Sequence, residues 1–260
     1  METWEMEMKY QAHRGVSEGF PENTMPAFRA AAAYGYDYIE TDPHFTADGR
    51  CVLIHDCELN RTCRTKDGEE LPRPVIIEKI SYQEALGYDT GIAVSPRFRG
   101  TKIPLLEELL EFAKRTGIAV KIDNRFQSFT DGQLDILFRL VRASRARVAF
   151  TCSDLRFARL VHDRLPDCEL HYDGYVDEER VREMAAIAGS PDFYVWLGLP
   201  TPKIAWVTVP TASPALCSMV KRYGHLGIWI LTEREELEQA HRLGAELIET
   251  TGSLKPPLRP

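Results

Sequence analysis

The chain has 260 residues, 44% of them apolar, enough for one large domain or two small ones with a substantial core. Its 39 acidic and 32 basic residues give a net charge of -7 and a pI of about 5.6, which argues against a nucleic-acid partner held on a broad basic surface. No apolar run approaches the length of a membrane span, so stable membrane insertion is not expected; the acidic start lacks the basic and apolar regions of a signal peptide, which makes the cytoplasm the expected location.

Met8 to Ala12 reads as a short strand ending at His13-Arg14-Gly15. A helix follows from Met25 to Tyr34, with Asn23 or Thr24 as cap, Pro26 in the first turn and Gly35 at its end. Tyr36 to Asp42 is the next strand. Two apolar, alternating runs flank Asp48-Gly49, so residues 38 to 56 read as a strand pair around a tight reversal. Residues 57 to 101 carry Lys66-Asp67-Gly68, Pro72, Pro74 and Ser95-Pro96, with a Ser81/Glu84 capping box for a short helix through Leu86. The segment is too long for an ordinary loop and reads as an insertion, after the second strand, over one end of the domain.

Alternation then resumes. Leu105 to Thr116 is an amphipathic helix stopped by Gly117, and Ile118 to Ile122 a strand ending at Asp123-Asn124-Arg125. Gln133 to Arg142 is a helix, Val148 to Thr151 a strand, and Ser153 caps a helix through Arg164. Glu169 to Tyr172 and a helix from Asp177 to Ala188 come next. Between 191 and 210 both Phe193 to Leu197 and Ile204 to Val209 read as strands. Pro214 to Tyr223 is a helix, Leu226 to Leu231 a strand, and Thr232 with Glu235 a capping box for the helix to Leu243. Glu246 to Thr250 is the last strand. About eight strand–helix units at this length suit an α/β chain closed as a single (β/α)8 TIM-type barrel over residues 1–260. An open doubly wound sheet is disfavoured, because no glycine-rich phosphate turn follows the first strand and the charged groups sit at several strand ends.

Chemistry concentrates at those ends. Glu40 and Asp42 are two apart on one strand and share a face, where like charges repel unless a cation or shared proton intervenes. His13 and His55 close two other runs. Carboxylates and histidines at strand ends look like a metal-assisted site. A solvated acidic face is the plainer alternative, but the following His-Asp pair favours a site. Cys51, Cys57 and Cys63 are evenly spaced without any Cys-x-x-Cys pair, so all six cysteines read as free thiols. Glu22 and Asn23 read as structural and Asp56 as orienting a loop. His171 and Tyr172 lie near a strand end, His171 reading as a packed or solvent histidine rather than a substrate contact, and Tyr194, Trp196 and Trp206 read as core.

The ordered set His13-Arg14-Gly15, Pro21-Glu22-Asn23-Thr24, Glu40-Thr41-Asp42, Asp48-Gly49, His55-Asp56, Arg61-Thr62, Ile103-Pro104 and Gly227-Ile228-Trp229 resembles the glycerophosphodiester phosphodiesterase family over nearly the whole chain. The resemblance implies a barrel enzyme that uses one divalent cation to hydrolyse glycerol-linked phosphodiesters to glycerol phosphate and an alcohol. It implies Glu40, Asp42 and Asp123 as metal ligands, His13 and His55 as the acid/base pair, and Arg14, Arg125 and Trp229 as substrate contacts. The family's Ile-Glu-x-Lys strand is here Ile122-Asp123-Asn124-Arg125, a shorter carboxylate and a planar cation. Its Thr-Asp-x-Pro ending is here Thr250-Thr251-Gly252-Ser253. Three hard oxygen ligands suit magnesium or calcium. Direct attack by water and prior attack by a glycerol hydroxyl both fit the residues, and so do both assignments of acid and base. Competing expectations are a lysophospholipase D-like enzyme, with an apolar lip in residues 57 to 101, and a barrel that binds phosphodiesters without turnover. The partner is a small phosphodiester in each case; the sequence sets neither the leaving alcohol nor the oligomeric state.

Overall fold

Apolar strands alternating with one-faced helices must bury those faces against one another, and here they do so as concentric layers. The structure, a computed structural model, describes Glu5, residues 7–200 and residues 210–257. In chain order the strands are β1 (Lys9–Ala12), β2 (Tyr38–Thr41), β3 (Pro43–Phe45), β4 (Cys51–Leu53), β5 (Ala119–Ile122), β6 (Val148–Cys152), β7 (Glu169–Tyr172), β8 (Phe193–Gly198), β9 (His225–Leu231) and β10 (Leu247–Thr250). All but β3 and β4 are parallel and close into an eight-stranded barrel, with β10 pairing back onto β1 and β1 onto β2. No helix among the described residues is long and apolar enough to cross a membrane.

The helices are α1 (Met25–Ala33), α2 (Tyr82–Ala85), α3 (Leu106–Thr116), α4 (Asp131–Ser144), α5 (Leu155–Arg164), α6 (Glu178–Ala188), α7 (Pro214–Val220) and α8 (Arg234–Arg242). α3 shows why they form. Leu106, Leu109, Leu110 and Ala113 fall on one buried face, Glu107 and Glu108 occupy the positive end, and Lys114 and Arg115 the negative end. Gly117, at φ +78°, takes the left-handed conformation that stops the helix.

Several boundaries differ from the sequence reading, each for a local reason. The hairpin around Asp48-Gly49 is only β3 with β4; Tyr38–Thr41 leaves it and pairs with β1 and β5 in the barrel. Neither candidate caps α1 with its side chain: Thr24 Oγ1 donates to the Pro21 carbonyl and Asn23 is drawn to Asp42. Asp154, not Ser153, caps α5, and Glu236, not Glu235, accepts the N–H groups of Thr232 and Glu233 at the start of α8. α4 begins two residues early because Thr130 and Gln133 form a reciprocal cap. Phe193–Gly198 is the barrel strand; Ile204 to Val209, and Trp206 within it, lie outside the described residues. All six cysteines are free.

Two cores and a satellite result. Outward-facing strand residues pack under the helices. Between β4 and α3, Leu59, Cys63, Leu71, Ile77 and Ala85 gather with Val52, Ile54 and Ile103 in a cluster of their own. Inside the barrel Tyr38, Ala119, Ala149, Tyr194, Trp196 and Leu247 fill the space. The indole N–H of Trp196 donates to His171 Nδ1 at 2.9 Å. His171 therefore carries its proton on Nε2 and donates to Glu169 at 3.0 Å, which also accepts from Tyr38. Gly227 pairs with Trp196 across β8 and β9, and a Cβ there would lie 2.7 Å from the indole ring. Since Trp196 is 1% exposed it has nowhere to retreat. Gly227→Ala should therefore cost roughly 1–3 kcal/mol of stability, read as a lowered Tm; an unchanged Tm would show the interior to be looser than this packing implies.

Candidate active site

Residues that leave the C-terminal ends of parallel barrel strands converge on one opening. His13 follows β1, Glu40 and Asp42 sit at the end of β2, and Asp123 follows β5; Trp229 is carried by β9. His55 is brought in by the chain that leaves β4. These six side chains, with Arg14, line one cavity of about 180 Å³. A larger cavity, about 370 Å³, lies at the opposite end around Lys9, Glu169, Tyr194 and His225, where the strands begin. It holds none of the convergent groups, so chemistry and not volume identifies the site.

Glu40, Asp42 and Asp123 each offer an oxygen, all within 4.8 Å of one another, a possible metal site among the described residues. Glu40 and Asp42 are each 3% exposed. Burial, reinforced by Asp42, holds the Glu40 carboxyl well above its ordinary range, and burial with the Asp42 charge also raises Asp123. Compensation inside the protein is partial. Asn23, held by Thr41, donates to Asp42 at 2.7 Å, and Arg14 Nε lies 3.6 Å from the same carboxylate. The Arg14 backbone N–H donates to Glu40 at 2.9 Å, with Arg14 itself at φ +58°. Three hard oxygens crowded together fit a divalent cation.

The two histidines differ. His13 Nε2 stands 4.0 Å from Glu40, and packing around its ring lowers its pKa from the ordinary value of 6.5. His55 Nδ1 lies 2.6 Å from Asp56. Asp56 also accepts from Arg61, whose other nitrogens reach Glu22 at 2.7 and 2.9 Å, and Glu22 accepts from Arg14 at 3.0 Å. One chain of charge-assisted hydrogen bonds thus joins the loop bearing Arg14 to the loop bearing His55. Asp56 holds the His55 ring rather than a loop alone, and Glu22 and Asn23 support the cavity lining as well as the helix entry.

Arg125 is the exception among the residues singled out from sequence. After Asp123 the chain turns into a 3₁₀ segment, Asn124–Ser128, and the Arg125 N–H folds back onto Asp123 Oδ1 at 3.0 Å. Arg125 does not line the cavity; its charge reaches both Asp123, where it offsets part of the rise caused by burial, and buried His44, whose pKa is lowered by burial and then by Arg125. Besides Arg14, a second cation does line the wall: Lys121 of β5, two residues before Asp123, with Nζ 3.9 Å from the Trp196 ring centre and 4.0 Å from Glu249. Glu249 is also bonded by Gln11. Lys121, Glu249, Thr151, Asp173 and Trp196 all line the cavity and were not assigned to it from sequence. The available signal was a charged residue inside an apolar strand: Ala-Val-Lys-Ile for Lys121 and Leu-Ile-Glu-Thr for Glu249. Of the packed and solvent readings of His171 the structure shows the packed one, at 0% exposure.

Comparison with known proteins agrees with this geometry. Residues 13–250 match the model of the glycerophosphoryl diester phosphodiesterase family. A glycerophosphodiester phosphodiesterase of Bacillus altitudinis is 37% identical over 116 residues, 44% of each chain. The matched stretches span less than half the length of the curated relatives. Two solved structures share the fold. One is an Oleispira antarctica phosphodiesterase in complex with the product sn-glycerol-3-phosphate (TM-score 0.76, 16% identity, 96% of this chain and 95% of that one). The other is a glycerophosphoryl diester phosphodiesterase from Parabacteroides distasonis (TM-score 0.72, 20% identity, 96% and 85%). With the family model covering nearly the whole barrel, the chain belongs to the glycerophosphoryl diester phosphodiesterase family.

Proposed function

We propose that this protein hydrolyses glycerophosphodiesters to glycerol phosphate and an alcohol, using one divalent cation, magnesium or calcium, and the histidine pair His13 and His55. The observation that carries the reading is the placing of three carboxylate oxygens within 4.8 Å of one another in a cavity that both histidines line. Family membership supports it, as does the glycerol phosphate bound by the Oleispira relative. The cavity is small and ringed by charged groups, which favours a deacylated diester over a lysophospholipid and its acyl chain. Residues 57–101 are read as an insertion over this end of a single barrel domain, supported by the Arg97 contact to the Gly19 carbonyl beside the β1 loop.

Glu40, Asp42 and Asp123 would hold the cation, which when bound neutralises their repulsion and draws charge from a non-bridging phosphate oxygen. Arg14 faces the same phosphate with a buried Nε that has no hydrogen-bond partner among the described residues. A neutral His13 takes the proton of the attacking hydroxyl. Asp56, whose carboxyl is kept ionised by Arg61 and His55 against the effect of burial, holds the His55 ring through Nδ1 at 2.6 Å. His55 then delivers its proton to the departing alkoxide, and the Arg61–Glu22–Arg14 bonds keep the two histidine loops in register. Trp229 closes one wall.

Three outcomes follow. His13→Ala and His55→Ala should each lower kcat on glycerophosphocholine by at least about 100-fold with unchanged circular dichroism; near-normal rates in both would refute the pair. Chelator treatment should remove activity, by a similar factor of about 100, and added magnesium or calcium should restore it; activity indifferent to chelation would exclude the cation. Because the His13 pKa is lowered and the base must be unprotonated to act, the acid limb of kcat/KM at saturating metal should fall below pH 6.5. A limb at or above 6.5 would assign the base elsewhere.

A further inference from the structure

We propose that Thr151 and Asp173 form a hydroxyl-recognising subsite, one that binds an alcohol hydroxyl of the organic group carried by the phosphate. The inference rests on the phosphodiesterase reading above and adds to it the recognition of the substrate's organic part. Thr151 belongs to β6 and is 3% exposed; Asp173 follows β7, the neighbouring strand, and its N–H donates to Cys152 at the end of β6. The two side chains therefore stand on adjacent strand ends, and both line the cavity.

Each presents a buried polar atom, Thr151 Oγ1 and Asp173 Oδ1, with no hydrogen-bond partner among the described residues. Buried polar atoms in native proteins are nearly always paired, so two orphans on neighbouring residues that line one cavity mark the place of a ligand's polar group. The chemistry specifies which group. A carboxylate oxygen only accepts, whereas a threonine hydroxyl both accepts and donates. An alcohol hydroxyl can donate to Asp173 and pair with Thr151 together; a methylene or a quaternary ammonium can do neither. Asp173 is also held in place: Asn124 Nδ2 donates to its other oxygen at 3.0 Å, and Asn124 directly follows Asp123. The orientation of the hydroxyl acceptor is thereby tied to the neighbour of a carboxylate that would hold the cation. Asp173 lies outside the three-carboxylate group, so the orphan oxygen is not a fourth member of that cluster.

The hydroxyl can come from the glycerol side or from the leaving alcohol, and substrates separate the two. Thr151→Val, which keeps the shape, and Asp173→Ala would be assayed on glycerophosphocholine, with hydroxyls on the glycerol alone, on glycerophosphoglycerol, with hydroxyls on both sides, and on propyl phosphocholine, with none. Where turnover is undetectable, the inhibition constant replaces kcat/KM. Binding of sn-glycerol 3-phosphate and propyl phosphate would be measured in parallel by calorimetry, with a magnesium titration as control. A loss of about 10-fold or more on both glycerol diesters, with propyl phosphocholine changed by less than about threefold, places the hydroxyl on the glycerol side. A loss confined to glycerophosphoglycerol places it on the leaving alcohol. Equal losses on all three substrates, no loss on any, or a matching shift in magnesium affinity would overturn the subsite. A wild-type protein inactive on every diester would sink the enzymatic reading instead, and the preference for glycerol phosphate over propyl phosphate would still test this one.

Discussion

Three carboxylates crowded at the mouth of the barrel are the constraint to which the surrounding structure answers. Two unit charges about 4 Å apart repel by roughly 4 kcal/mol at the effective dielectric of a protein surface, and Glu40, Asp42 and Asp123 make three such pairs within 4.8 Å. The fold relieves only part of this. Asn23 gives Asp42 a donor, Arg14 approaches it to 3.6 Å, and Lys121 lies below but is shared with Glu249 and Trp196. The raised carboxyls of Glu40 and Asp123 register the part left over. A cluster whose repulsion its own protein relieves only in part fits an outside cation.

The same economy explains the chain of ion pairs from Arg14 through Glu22, Arg61 and Asp56 to His55. Arg61 is about half exposed, 48%, and pairs of that kind contribute about 0–1 kcal/mol to stability. Their value here is geometric. His13 and Arg14 ride on the β1 loop, whereas His55 arrives from the β3–β4 hairpin outside the barrel, and this bridge joins the Ile54–Asp42 backbone hydrogen bond in tying the hairpin's exit to the strand ends.

The barrel and the central five groups were legible in the sequence because two periodicities and an ordered motif agreed. Strand and helix patterns alternate, and His13, Glu40, Asp42, His55 and Asp123 each stand where a strand or hairpin run ends. Local capping was harder to read, since neighbouring polar residues compete for the same N–H groups; Ser153 lost to Asp154 in that way, and Glu235 to Glu236. Arg125, put by the resemblance at the family's lysine position, falls outside the cavity lining, and the local pattern says nothing of the 3₁₀ turn that follows Asp123 there. Lys121, Thr151, Asp173 and Glu249 were missed for a different reason. A barrel has two faces, and in one sequence only closure tells which charged residue of an apolar strand points inward. Lys121 pairs with Glu40 across β2 and β5, a neighbour 81 positions away that no local pattern contains.

The account turns on where a cation sits. Anomalous diffraction from crystals soaked in manganese, a stand-in for magnesium with the same oxygen preference, tests that directly. A single strong peak about 2.2 Å from oxygens of Glu40, Asp42 and Asp123 together is the expected result. A peak bound elsewhere, or none at the carboxylates under saturating metal, would contradict it.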